Sequence, residues 1–259
     1  VLAEWGRMSD AERDAAYNNS AAVPGSDEAQ QRRAAESAAF RAANPPTELV
    51  YGPHERQRID LFGAGERTLV FIHGGYWQRG AREMISVVAE GPLARGWSVA
   101  FPGYRIAPEV GLDDIVADVT AALDRLAERG PLVVAGHSAG GHLAALALAH
   151  PAVAAGLAIS GVFELGPIRD TFLNAKLNLT PAQLDRLSPL RRPVVGKPLV
   201  IAYGTAELPA LIANSREFHS VRAAAHAPGA LVPIPRAEHF SVLDALRDAN
   251  GLLCRWLPG

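Results

Sequence analysis

Along most of the chain, short apolar runs alternate with segments whose apolar residues recur every three or four positions. Residues 68–72, 98–101, 132–135, 156–159 and 199–203 are compact runs of buried-strand length, rich in β-branched side chains. Residues 48–51 and 57–62 read as short strands around a Gly52-Pro53 turn, and 231–235 as a strand weakened by its prolines. Between the runs, Ile115, Val119, Leu123 and Leu126 form a helical stripe within residues 112–129. Residues 138–149, 208–225 and 241–256 carry helical patterns too. Repeated alternation of this kind predicts an α/β fold: a mostly parallel, twisted sheet covered by helices on both faces.

Two stretches stand outside the alternation. Residues 1–47 are Ala-rich and charged, with Pro24-Gly25 between two helical candidates and Asn44-Pro45-Pro46 ending the second. Residues 163–192 are polar and punctuated by prolines. Both are expected either to cap a site or to lie on the surface as plain helices. At 259 residues the whole chain, 1–259, fits one domain.

Composition narrows the function classes. A formal charge of −2 gives no basic footprint for nucleic acid or an anionic membrane. The apolar runs fall short of the roughly 20 residues that cross a bilayer. The first residues lack a secretory pattern, so a cytoplasmic location is expected. A single cysteine, Cys254, excludes an intramolecular disulfide and reads as a buried structural thiol.

The chemistry concentrates at Gly136-His-Ser-Ala-Gly140, where an apolar run passes directly into an Ala/Leu-rich helical pattern. A G-x-S-x-G sequence in that strand–turn–helix setting is a nucleophile elbow, with Ser138 as the candidate nucleophile. A second motif, His73-Gly-Gly-Tyr-Trp77, follows the 68–72 run. Backbone N–H groups of Gly74 and Gly75, joined by that of Ala139, are the candidate oxyanion donors. Tyr76, Trp77 and Phe240 are candidate pocket walls, while His137 and His73 read as packing and loop-shaping residues and Tyr104 as a brace.

A serine hydroxyl needs a base, and the base needs an acid that holds its tautomer. With a nucleophile elbow they follow in the order Ser, Asp/Glu, His. Of the late histidines, His219 and His226 fall in or at the end of a helical pattern. His239 sits in the polar loop after the last strand and is the candidate base. Glu207 is the only carboxylate in the loop after residues 199–203 and is preferred as the acid over Glu238 and Asp244.

Together, His73-Gly-Gly-Tyr-Trp77, Tyr104-Arg-Ile-Ala-Pro-Glu109, Gly136-His-Ser-Ala-Gly140, Glu207 and His239 make the chain resemble the kynurenine formamidases of α/β-hydrolase fold. It is also similar to the wider esterase group related to hormone-sensitive lipase. Ala16-Tyr-Asn-Asn-Ser20 and Tyr51-Gly-Pro53 extend the likeness to the bacterial members. The resemblance implies a Ser138–His239–Glu207 hydrolase that cleaves N-formyl-kynurenine to kynurenine and formate; the alternative is a short-chain carboxylesterase, and the remote one a non-catalytic binding protein. It implies a small-molecule substrate and no metal or organic cofactor, and it leaves room for a homodimer.

Overall fold

A computed structural model describes residues 2–257. The chain opens with four helices, α1 (Leu2–Trp5), α2 (Asp10–Tyr17), α3 (Asn19–Ala22) and α4 (Ser26–Ala43). Ser9 caps α2 with a reciprocal Glu12 bond, and Asn18 caps α3 through Ala21 N–H. Strands β1 (Thr47–Val50), β2 (Arg58–Phe62) and β3 (Thr68–Ile72) follow.

A 3-10 helix, Arg82–Ala89, leads into α5 (Glu90–Ala94), β4 (Ser98–Pro102) and α6 (Leu112–Leu126). Then come β5 (Leu132–His137), α7 (Ala139–Ala147) and β6 (Val153–Ile159). Short helices α8 (Gly166–Arg169), α9 (Asn174–Leu177) and α10 (Pro181–Leu187) precede β7 (Leu199–Gly204), α11 (Pro209–Ala224), β8 (Leu231–Ile234) and α12 (Asp244–Arg247).

The eight strands form one sheet in the order β1-β2-β4-β3-β5-β6-β7-β8. Only β2 runs against the rest; from β4 to β8 every pairing is parallel. The central strands β3, β4 and β5 are buried along their whole length, as expected when helices cover both faces. One core face packs Ile115, Val119 and Leu123 of α6 and Leu143 of α7 against Val70 and Val134. The other packs Phe62, Phe71 and Phe101 with Val242 and Leu246.

The sequence expectations for the sheet and for α6, α7 and α11 agree with these elements to within a few residues. Two did not foresee the structure. The helical pattern over 241–256 is broken into a 3-10 turn Ser241–Leu243, α12 and a further 3-10 turn Cys254–Trp256. Asp248 adopts extended backbone, and Gly251 N–H bonds back to its carbonyl, so the helix cannot continue. The 3-10 segment and α5 between β3 and β4 were covered by no strand or helix expectation; Gly91 and Pro92 lie inside α5.

Residues 163–192 bury Leu165, Ile168, Leu173, Leu184 and Leu187 in the core face that holds α6 and α7. Trp5 Nε1 donates to Asp170, and Phe172 N–H to Asp14, so the segment also rests on the first helices. Among the described residues no helix is long and apolar enough to cross a membrane. Cys254 is fully buried, and burial pushes its thiol pKa up.

Candidate active site

Ser138 stands between the end of β5 and the start of α7 with φ 57° and ψ −119°. A non-glycine residue held there costs about 1–3 kcal/mol, which the surrounding sheet must impose. Ser138 N–H stays bonded to the Ile159 carbonyl at 2.9 Å, so the turn is anchored in the ladder with β6. The sharp reversal presses α7 onto β3: a Cβ on Gly140 would lie 2.0 Å from the Ile72 carbonyl oxygen. Glycine is therefore required at the elbow by close approach.

His239 Nε2 lies 3.0 Å from Ser138 Oγ, and His239 Nδ1 lies 3.4 Å from Glu207 Oε2. All three side chains are buried. Glu207 Oε1 accepts from Gly204 N–H at 2.8 Å and from the Ser160 hydroxyl, leaving Oε2 for the imidazole. Ser160 was not foreseen. It follows β6 with φ 50°, a second strained serine at the same end of the sheet.

The competing acids have other partners. Glu238 accepts from Phe240 and Ser241 N–H, both at 2.7 Å, and caps the turn after His239. Asp244 stands 3.6 Å from Arg33.

His137 braces the same loop. Its Nε2 donates to the His239 carbonyl at 2.7 Å, and its ring centroid is 4.6 Å from that of His239. Burial, followed by the charge of a protonated His239, holds its pKa well below the ordinary imidazole value. It is neutral at neutral pH.

Gly74 brings its backbone against Ser138: a Cβ there would meet Ser138 Cβ at 3.1 Å and the His137 carbonyl oxygen at 2.8 Å. Gly75, Tyr76 and Trp77 then carry φ 119°, 56° and 60° and wind the loop into a tight turn. Ala139 N–H, at the first position of α7, has no intrahelical acceptor. His73 stacks on Tyr104 at 4.2 Å, and the Tyr104 hydroxyl donates to the His73 carbonyl at 2.8 Å, holding the loop from behind.

Ser138 and His239 open into a cavity of about 220 Å³. Tyr76 and Phe240 line it, as the sequence predicts. Trp77 does not. The two positive φ values turn its indole into the core, where Nε1 donates to His142 Nδ1 at 3.2 Å. His142 Nε2 in turn donates to the Leu187 carbonyl at 2.8 Å.

No residue of 163–192 lines the cavity, because that segment packs beside α7 instead. The wall is supplied by Met84 and Ile85 of the 3-10 helix and by Gln30 and Arg33 of α4. These four were missed by sequence reasoning. No motif marks them.

The N-terminal segment is fastened to the loop itself. Tyr76 hydroxyl donates to the Tyr17 carbonyl at 3.0 Å and accepts from Asn19 N–H at 3.0 Å. Arg41 and Arg82 both pair with Asp60 Oδ2, at 2.6 and 3.0 Å, joining α4 to β2 and to the cavity wall. Asp60 is 1% exposed, so two guanidinium partners suit its burial.

The arrangement is a hydroxyl beside an imidazole beside a carboxylate, at the carboxyl ends of parallel strands, with amide groups close by. Residues 69–255 match the family model for the alpha/beta hydrolase family. A kynurenine formamidase of Danio rerio is 26% identical over 233 residues, covering 81% of this chain and 80% of that protein. One from Drosophila melanogaster is 31% identical over 166 residues, 55% of each. A solved Silicibacter structure, described as a candidate thioesterase, superposes with a TM-score of 0.86 at 30% identity, covering 94% of this chain and 98% of its own.

Proposed function

We propose that this chain, which belongs to the alpha/beta hydrolase family, hydrolyses a small aryl formamide, with N-formyl-kynurenine as the substrate that fits best. The observation that carries the reading is the 3.0 Å approach of His239 Nε2 to Ser138 Oγ at the floor of a cavity with an aromatic wall. Likeness to the Danio rerio kynurenine formamidase supports the formamide over other acyl compounds.

In this mechanism His239 takes the Ser138 proton as Oγ attacks the formyl carbon. N–H groups of Gly74, Gly75 and Ala139 hold the oxyanion that forms. Glu207, fixed by Ser160 and Gly204, keeps the proton on His239 Nδ1 and stabilises the imidazolium. The 3.4 Å Nδ1–Oε2 contact shortens as that charge develops. Imidazolium then protonates the aniline nitrogen, the C–N bond breaks, and the amine leaves. Water, deprotonated by His239, attacks the formyl ester of Ser138 and releases formate.

A formyl group needs little acyl space, whereas the aryl part needs apolar walls such as Tyr76 and Phe240. The second reading is ester or thioester hydrolysis on the same residues. It is favoured by the likeness to the Silicibacter protein.

One assay separates the two. Purified protein is given N-formyl-kynurenine and p-nitrophenyl esters from acetate to octanoate, with Ser138→Ala as control. Deformylation with ester turnover confined to acetate, lost roughly 10³-fold or more in the variant, is the expected result. Ester turnover without deformylation would move the function to the second reading. Undiminished activity of S138A would remove Ser138 as nucleophile.

A further inference from the structure

The cavity beside Ser138 has an uneven wall. One part is apolar, formed by Tyr76, Met84, Ile85, Phe240 and Leu243. Another carries Gln30, Arg33 and Arg79, and among the described residues no Asp or Glu lines the cavity. Two cations therefore face an apolar space with no anion of the protein in that space.

Arg33 is the more telling of the two. Its Nη2 donates to the Phe240 carbonyl at 2.8 Å and lies 3.6 Å from Asp244 Oδ1. Its Nε is buried and finds no acceptor. A guanidinium offers five N–H donors, so most of this one is unused. The Arg33 side chain is 11% exposed while that of Asp244 is 60% exposed. Water screens Asp244, the carboxylate that acts on it most strongly, and Glu238 acts on it more weakly, yet the cation itself is largely withdrawn from solvent.

Arg79 adds a second positive charge. Its Nη2 donates to Ser20 at 2.9 Å and its guanidinium lies 5.1 Å from the Tyr76 ring centroid. A planar guanidinium beside aromatic walls is suited to a carboxylate attached to a ring.

We propose that Arg33 is a specificity-determining residue that selects substrates bearing a carboxylate, pairing with it while the substrate's apolar part lies against Tyr76 and Phe240. This rests on the reading that Ser138 attacks a substrate held in this cavity, and it adds the class: an anionic aryl formamide or ester. The competing role for Arg33 is a strut that holds the Phe240 carbonyl and, through it, the His239 loop.

The test compares N-formyl-2-aminobenzoate with its uncharged analogue formanilide, in wild type, Arg33→Met and Arg33→Lys. Wild type should prefer the carboxylate substrate. R33M should lower the ratio of the two kcat/KM values about tenfold or more, chiefly through KM, since a charge-assisted pair is lost. R33K should keep part of the preference. If both substrates fall together in R33M and the ratio holds, Arg33 is a strut and the proposal is overturned.

Binding of 2-aminobenzoate against 2-aminobenzamide, followed by the ligand's fluorescence, needs no turnover. Tighter binding of the acid by wild type, lost in R33M, supports anion selection even if formamides are not hydrolysed. Equal binding of the two by wild type overturns it even if they are.

Discussion

Three histidines buried around the site tie folding stability to pH. His142 is fully buried between Trp77 and Leu187. Its Nδ1 accepts from the indole N–H, so the single ring proton sits on Nε2, and a second would face the Trp77 donor. Burial lowers its pKa from the ordinary 6.5 to about 4. The unfolded chain therefore binds a proton below pH 6.5 that the folded state refuses. Stability is complete above that pH and falls as the pH drops towards about 4, where the folded ring titrates.

At pH 5 the imbalance amounts to about 2 kcal/mol for one such ring. His73, also lowered to about 4 by burial, adds the same again, and His137 acts in the same direction. About 4 kcal/mol is a large part of the 5–15 kcal/mol that holds a typical domain. Urea unfolding at pH 7.5 and pH 5, followed by tryptophan fluorescence, measures it. In His142→Gln the amide keeps an acceptor and a donor but cannot titrate. Its absolute stability will differ, yet its loss between the two pH values should be smaller than wild type's by about 2 kcal/mol. An equal loss in both proteins, or a flat wild-type profile, refutes the reasoning.

Ser160→Ala removes the hydroxyl that fixes Glu207 Oε1 but leaves the Gly204 N–H in place. Steady-state kinetics should show kcat reduced by about tenfold with little change in KM, as one charge-assisted bond to the acid is lost. Gly140→Ala forces a Cβ to 2.0 Å from the Ile72 carbonyl. Its urea midpoint should fall by the equivalent of at least about 1–3 kcal/mol, with activity lost more steeply than stability because the elbow itself is displaced. Wild-type midpoints for G140A would show that the elbow has slack.

The alignment of Ser138, His239 and Glu207 was legible because chain order and close packing constrain it together. The elbow glycines, the carboxylate after β7 and the histidine after β8 each mark the end of a parallel strand, where the sheet must deliver them. Trp77 misled because a residue adjacent to the glycine loop in sequence is turned away from it by two positive φ angles, which no side-chain pattern announces.

The cavity wall was illegible for a different reason. Arg33 and Gln30 lie on a helix whose apolar residues are alanines and Phe40, too weak a stripe to read, and hydrogen bonds help to dock it. Arg41 reaches Asp60, and Ser37 accepts from Val87 N–H. Met84 and Ile85 sit in a short 3-10 segment with no motif of its own. Ser160 drew no expectation; a serine followed by glycine at the end of the strand beside the elbow was its one available sign.

The bond from Arg33 to the Phe240 carbonyl joins residues 207 positions apart. During synthesis, α4 emerges long before the loop it must hold exists. In proteins most helical stability comes from tertiary packing, so α4 depends on partners that come later. Its pairing with Asp60 becomes available early and its contact with Phe240 near the end. The cavity thus forms in two instalments, Ser138 and the Met84–Ile85 wall well before His239 and Phe240. A nascent chain halted before His239 carries Ser138 and the Gly74–Gly75 loop but neither the imidazole beside them nor a closed cavity.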